Sequence, residues 1–222
     1  ATARAGVADQ GWSTSAAFFD ADQDGDLDLW VCRYLNWIQA AEHRCGNDSG
    51  APDYCDPKVY QAPALDSFFR NRGDGTFEDA TLAAGVDRAA TGLGVACLDV
   101  DGDGWLDVFV ANDGMPNQLW RNQGGVRFEE TALRDGCALD NDGVAKAGMG
   151  VAVDDPDGDG DTDLLVCNLE GQSDSLFENR GGNFADRIAT SNLRVFSRSF
   201  TRFGLGWQDF DPDGVLDLYE AN

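Results

Sequence analysis

Asp99-Val-Asp-Gly-Asp-Gly-Trp-Leu-Asp107 decides the fold, because the same nine-residue pattern stands at three other places in the chain. Asp20-Ala-Asp-Gln-Asp-Gly-Asp-Leu-Asp28 precedes it, and Asp155-Pro-Asp-Gly-Asp-Gly-Asp-Thr-Asp163 and Asp209-Phe-Asp-Pro-Asp-Gly-Val-Leu-Asp217 follow. Every copy has aspartate at positions 1, 3, 5 and 9 and glycine at 6. That spacing lets alternate carboxylates converge on one hard cation, while glycine permits the sharp turn between them. Helix–loop–helix calcium loops place a bidentate glutamate at position 12. Here position 12 is Val31, Val110, Val166 and Glu220, and the valines lie in apolar runs that read as strand. The pattern therefore predicts four calcium loops closed by the ninth-position aspartate and flanked by strands. The expected side-chain ligands are Asp20, Asp22, Asp24 and Asp28; Asp99, Asp101, Asp103 and Asp107; Asp155, Asp157, Asp159 and Asp163; and Asp209, Asp211, Asp213 and Asp217. The main-chain carbonyl at position 7, from Asp26, Trp105, Asp161 and Val215, is expected to join them.

Forty acidic residues against sixteen basic ones give a net charge of −24, which four divalent ions would bring to −16. Such a chain is a poor partner for nucleic acid or an anionic membrane surface. No apolar run is long enough for a transmembrane helix, so no membrane insertion is expected. The first residue is Ala1 and not Met, and the expectation is that any export signal has already been removed. Six cysteines without a CxxC pair argue against zinc. Cys45 and Cys55 occupy a loop-like stretch and are expected to form a disulfide. Together with calcium loops this points to an oxidising setting: secreted or extracellular, with periplasm or cell surface included. Cys32 and Cys167 hold equivalent places in their repeats and read as free buried thiols or as a pairing left open.

The acidic loops sit between apolar runs. Gly92-Leu-Gly-Val-Ala-Cys-Leu98 leads into the second and Leu106-Asp-Val-Phe-Val-Ala111 leads out, with counterparts around the third and fourth. Two such runs around a tight turn predict a hairpin. Phe69-Arg-Asn71 to Phe77, Trp120-Arg-Asn122 to Phe128 and Phe177-Glu-Asn179 to Phe184 bracket glycine-rich turns and predict a second hairpin per unit. Two hairpins make a four-stranded antiparallel blade, and the repeat length suits an all-β propeller. Approximate blades are 8–86, 87–138, 139–194 and a partial 195–222, forming one propeller segment. Helix is expected only as one turn near Ile38–Glu42. Ala1-Thr-Ala-Arg-Ala-Gly-Val7 matches Ala80-Thr-Leu-Ala-Ala-Gly-Val86, so the chain is expected to begin on the last strand of a preceding blade. Three blades and two partial ones leave open edges, so further sequence or another chain is expected to complete the ring. From Asp20 to Asn71 the first blade spans 51 positions against 23 from Asp99 to Asn122, an excess of 28 placed within residues 33–65.

The loops, with Phe69-Arg-Asn-Arg-Gly-Asp-Gly-Thr-Phe77 and Leu119-Trp-Arg-Asn122, resemble FG-GAP (VCBS-type) repeats. Asp53-Tyr-Cys-Asp-Pro-Lys-Val-Tyr60, Val110-Ala-Asn-Asp-Gly114, Asp135-Gly-Cys-Ala138 and Ala147-Gly-Met-Gly150 resemble bacterial members of the cartilage acidic protein (ASPIC/UnbV) group. The resemblance covers essentially the whole chain and implies an exported, calcium-binding propeller, commonly of seven blades. It also implies Cys97 with Cys137 as a second disulfide, since both match cysteine-bearing motifs of the group.

Arg72-Gly-Asp74 is the adhesive tripeptide, but it falls in a turn whose sister repeats have Gln-Gly-Gly and Arg-Gly-Gly, so a turn role is expected. Asn47-Asp-Ser49 is a glycosylation sequon in the insertion. His43, the one histidine, has no nucleophile or acid pair tied to it by motif. Carboxylates committed to a cation stay ionised and cannot donate protons, so no enzyme is expected; a hydrolase or lyase is the disfavoured reading. The expected role is binding, adhesion or scaffolding, with a protein or glycan partner or self-association. A structural subunit of an extracellular assembly and a lectin-like polysaccharide binder are the alternatives. Blade topology puts the acidic loops and the Arg72-Gly-Asp74 turn on one face, and the insertion on the other. There Trp37, Tyr54 and Tyr60 are the expected partner surface.

Overall fold

A computed structural model describes residues 2–8 and 11–221. Around each acidic nonamer the chain turns back on itself, because the apolar runs on both sides can be buried only when their backbone N–H and C=O groups pair. Ser13–Phe19 (β1) enters the first loop and Asp28–Arg33 (β2) leaves it. The insertion follows, with a two-residue ladder between Cys45–Gly46 (β3) and Pro52–Asp53 (β4). Ser67–Asn71 (β5) and Phe77–Asp79 (β6) complete an antiparallel sheet in the order β1-β2-β5-β6. Gly92–Leu98 (β7), Asp107–Asn112 (β8), Gln118–Asn122 (β9) and Phe128–Glu130 (β10) repeat it. Gly148–Asp154 (β11), Asp163–Asn168 (β12), Ser175–Asn179 (β13) and Phe184–Asp186 (β14) repeat it again. A last hairpin pairs Gly204–Gln208 (β15) with Asp217–Ala221 (β16). The fold is an all-β propeller of four-stranded antiparallel blades, the first strands β1, β7, β11 and β15 lying side by side.

The core lies between blades. Trp30 and Phe68 of the first blade meet Val108, Val110 and Trp120 of the second, with Trp30 and Trp120 ring centroids 6.0 Å apart. The alternate residues Phe109, Ala111 and Leu119 point the other way, against Leu164, Val166 and Phe177 of the third. A second strand such as β8 is covered on both sides, which is why its sequence is an unbroken apolar run and not an alternation. Ala147, Met149 and Cys167 continue the packing toward Leu205 of the last hairpin.

This alternation overturns the expected Cys97–Cys137 disulfide. Cys97 and Val95 pack against the cluster shared with the first blade, whereas Cys137 lies in the cluster shared with the third. The two thiols thus sit on opposite faces of one sheet, and both are free, as are Cys32 and Cys167. Burial pushes the Cys97 thiol up to about 12 and Cys167 to about 11, and raises Cys32 and Cys137 as well. Native protein should therefore resist a neutral-pH alkylating reagent, and denatured, unreduced protein should take up four labels per chain. Uptake of two on mass analysis would restore a second disulfide.

The opening segment is also not a strand. Thr2–Ala5 is a single helical turn, like the turn through 81–85 and Ala132–Asp135. Gly6, Gly85 and Gly136 end these turns at φ of 81°, 85° and 89°. A Cβ on Gly6 would meet the Phe77 carbonyl oxygen at 2.7 Å and one on Gly85 the Phe128 carbonyl oxygen at 2.9 Å; Gly136 abuts Phe184 in the same way. Left-handed backbone and close approach together require glycine, and each turn docks on the outer strand of the following blade. The expected turn near Ile38–Glu42 is present as a 3-10 turn at Gln39–Ala41.

Candidate metal centre

Each nonamer folds by the same internal bonds. The glycine N–H at position 6 donates to the first aspartate: Gly25 to Asp20 at 3.1 Å, Gly104 to Asp99 at 2.8 Å, Gly160 to Asp155 at 2.9 Å, Gly214 to Asp209 at 3.0 Å. The N–H at position 7 donates to the fifth: Asp26 to Asp24, Trp105 to Asp103 and Asp161 to Asp159 at 2.9 Å, and Val215 to Asp213 at 2.8 Å. With backbone N–H groups on their outer side, the carboxylates crowd together. Asp20, Asp22 and Asp24 bring ligand oxygens within 4.8 Å of one another, as do Asp155, Asp157 and Asp159. In the other two loops the trio takes in the ninth position: Asp99, Asp101 and Asp107, and Asp209, Asp211 and Asp217. Asp20 Oδ1 and Asp22 Oδ1 are buried without a hydrogen-bond partner. An all-oxygen, all-carboxylate donor set with such orphaned atoms fits a hard divalent cation and does not fit zinc, which takes sulfur and nitrogen.

The side chains of Asp26 and Asp161 at position 7 lie apart from these trios. Asp161 Oδ2 accepts from Gly181 N at 2.8 Å, and Asp26 Oδ2 stands beside Gly73. The ninth aspartate has a second task that sequence reasoning missed. Asp28 accepts from Ala21 N at 3.1 Å and from Asn71 N at 2.7 Å; Asp107 accepts from Val100 N at 3.3 Å and from Asn122 N at 2.7 Å. Asp163 accepts from Asn179 N at 2.7 Å, and Asp217 from Phe210 N at 3.0 Å. In the first two loops it thus ties the loop's second residue to the third strand of the blade. Burial raises the Asp28 carboxyl, and pushes Asp107 to about 7 and Asp163 to about 6, against the lowering pull of the N–H bonds. A dication beside them would reverse that direction.

The turn asparagines were legible as a recurring letter but not as staples. Asn122 Nδ2 donates to Ala21 O at 2.8 Å and Asn179 Nδ2 to Val100 O at 2.9 Å, each reaching the acidic loop of the preceding blade. Their Oδ1 atoms accept from Gly125 and Gly182 at 2.8 Å. The neighbouring arginines reach forward instead: Arg70 to Gly125 O at 3.2 Å, Arg121 to Gly182 O at 3.0 Å. Arg121 also enters its own loop, with Nη1 at 2.6 Å from Asp101 and 3.7 Å from Asp107, and Arg70 lies 3.6 Å from Asp22. The third blade has Glu178 in that place, paired with Arg187 at 3.3 Å. On the other face Asp66, Asn117 and Asp174 play a matching part, accepting from Arg33, Asn112 and Asn168 N at 2.9, 3.2 and 3.2 Å to close the end of each second strand.

The Arg72-Gly-Asp74 turn lies beside the first acidic loop, and Asp74 is spent on Thr76 N at 2.9 Å, while Arg72 pairs with Glu78 at 3.0 Å. The insertion lies against the opposite loop: Tyr34 donates a short bond to Asp113, and Lys58 abuts Gly114. Cys45 and Cys55 are joined by a disulfide. Trp37, Tyr54 and Tyr60 line one cleft together with Trp12, Leu35 and Glu42. His43 stands edge-on to Tyr60 at 5.3 Å.

Blades laid side by side, each headed by an acidic loop and the first two loops stitched to the following blade, define a repeat propeller with a cation-type cradle per blade. The model of the FG-GAP-like repeat matches residues 59–110, 99–166 and 155–220, and the chain belongs to that family, among the relatives of cartilage acidic protein. It is 44% identical to human cartilage acidic protein 1 over 68 residues, covering 29% of this chain and 10% of that protein. The mouse protein is 33% identical over 152 residues (68% and 23%), and the Xenopus tropicalis protein 26% over 223 (99% and 31%). The chain thus spans at most about a third of the relatives it matches. A solved Agrocybe aegerita lectin, described as recognising non-reducing terminal N-acetylglucosamine, is similar at a TM-score of 0.42 and 16% identity over 94% of this chain and 60% of that one. That likeness is too loose to bear on ligand.

Proposed function

We propose that this protein is a calcium-pinned, non-catalytic binding module that works outside the cytoplasm. The observation that carries the reading is one carboxylate cradle recurring four times with the same internal bonds. Bound calcium supplies the positive charge that lets so many carboxylates share one small volume. The aspartates at positions 1, 3, 5 and 9 and the carbonyls of Asp26, Trp105, Asp161 and Val215 are the groups that would hold it. The loops then fix strand register and blade-to-blade contact, leaving recognition to the opposite face. The Cys45–Cys55 disulfide supports an oxidising compartment, and among the described residues no helix is long and apolar enough to cross a membrane.

Metal analysis of protein purified with calcium present should find calcium in the loops; empty loops, or zinc, would sink the reading. The loops should also differ. Arg121 brings a positive charge to Asp101, where the third blade carries Glu178. Replacing Arg121 by Gln should raise cation affinity at the second loop about tenfold, because a like charge a few ångströms from the ion is removed. Terbium emission sensitised by Trp105 reads that loop, and an unchanged titration would refute the competition.

A further inference from the structure

The cleft beneath the insertion has walls of Trp12, Trp37, Tyr54 and Tyr60, a floor that includes Leu35, and a volume of about 790 Å³. Glu42 is the one charged residue that lines it among the described residues. The arrangement is organised by that carboxylate: Trp37 Nε1 donates to Oε2 at 2.8 Å and Tyr60 Oη donates to Oε1 at 2.9 Å. Trp12 and Trp37 stand nearly perpendicular, at 80° with centroids 6.4 Å apart, and so form a corner of two indoles. The Cys45–Cys55 bridge closes the loop that carries Tyr54, and Cys55 itself lines the cleft. None of this serves the blades, whose cores are complete without the insertion.

We propose that this cleft binds a small ligand bearing a quaternary or alkylated ammonium group. The faces of indole and phenol rings attract such a cation through their quadrupoles, and a carboxylate held between two rings is its counter-ion. A corner of perpendicular rings suits a rounded onium group, whereas a sugar ring stacks on one flat platform. A lining with one negative charge and no positive one disfavours anionic ligands, and the net charge of −24 draws cations from a distance. The two hydrogen bonds to Glu42 hold Trp37 and Tyr60 beforehand, which lowers the ordering needed on binding, while the exposed Tyr54 ring on the disulfide-closed loop is free to close over the ligand.

The inference rests on reading the protein as a binding module, and the two can fail separately, since the metal analysis does not depend on the cleft. The test is titration of the calcium-loaded chain with choline, its uncharged isostere 3,3-dimethylbutan-1-ol, and N-acetylglucosamine, followed by tryptophan fluorescence and calorimetry. Choline should bind saturably and about tenfold more tightly than the isostere, the difference one or two cation–ring contacts make. Glu42→Gln should weaken choline about fivefold while leaving the isostere unchanged. Trp37→Ala should weaken it about tenfold with the blades still folded by melting. Equal binding of the isostere, saturable binding of the sugar with none of choline, or no binding by any probe overturns the proposal.

Discussion

Stripping divalent cations from the protein should lower its melting temperature by about 10–20 °C, and calcium should restore it. With a dissociation constant near ~0.1 mM and about 1 mM free calcium, each site contributes roughly 1.4 kcal/mol, and four give about 5–6 kcal/mol. That is comparable with the whole stability of an ordinary domain. The structural reason lies in the loops. Without a cation, Asp20, Asp22 and Asp24 face one another within 4.8 Å, and Asp20 Oδ1 and Asp22 Oδ1 have no partner. Magnesium should restore less, because it demands tight octahedral geometry and gives up its water reluctantly. A melting curve unmoved by thorough chelation would show the loops to be energetically idle.

Replacing Asn179 by alanine should destabilise the protein by about 2–4 kcal/mol and should loosen the second and third blades together. Its amide serves three partners: Val100 O at 2.9 Å in the preceding blade, Thr162 O at 3.1 Å in its own loop, and Gly182 N at 2.8 Å in the turn. All are lost together, and the buried Val100 carbonyl is left without its donor, which costs more than the bond itself contributes. Asn179→Asp keeps the shape and the acceptor but removes the donor, so it should be nearly as harmful as alanine. Asn71 makes the own-loop bond, to Leu27 O at 2.8 Å, and among the described residues it bridges to no second blade, so Asn71→Ala should cost less. Denaturant unfolding of the three variants orders them; an Asn179→Asp protein as stable as the parent would show that the bridge to Val100 contributes nothing.

Much of this molecule is written in short range. The nonamers carry their own folding instructions, because the bonds from glycine at position 6 and from the residue at position 7 return to aspartates within five positions. Apolar runs around each loop, the turn motifs ending in Asn71, Asn122 and Asn179, and the closing Ala-Gly-Val segments likewise repeat in the sequence, so strand number, blade order and the place of the insertion follow from it. Trp37, Tyr54 and Tyr60 could be singled out as aromatics that the repeat does not need.

What the sequence leaves undecided is everything that depends on which neighbour a side chain faces. Cys97 and Cys137 both sit in motifs of the group but look toward different blades: Cys97 points from β7 toward the first blade, while Cys137, just past the helical turn Ala132–Asp135, is packed into the cluster shared with the third. The closing Ala-Gly-Val segments repeat as letters, yet only docking on the following blade shows them to be helical turns ended by a left-handed glycine. A ninth-position aspartate reads as a metal ligand, and only packing shows that it also holds its loop to the third strand. Arg121 and Glu178 occupy one register position, but the charge each brings to an acidic loop is a matter of reach across space. Trp12 lies far from Tyr60 along the chain and joins it in the cleft only through the tertiary folding of the insertion. Local pattern sets the blades; long-range side-chain direction sets the bonds between them and the chemistry of the face they present.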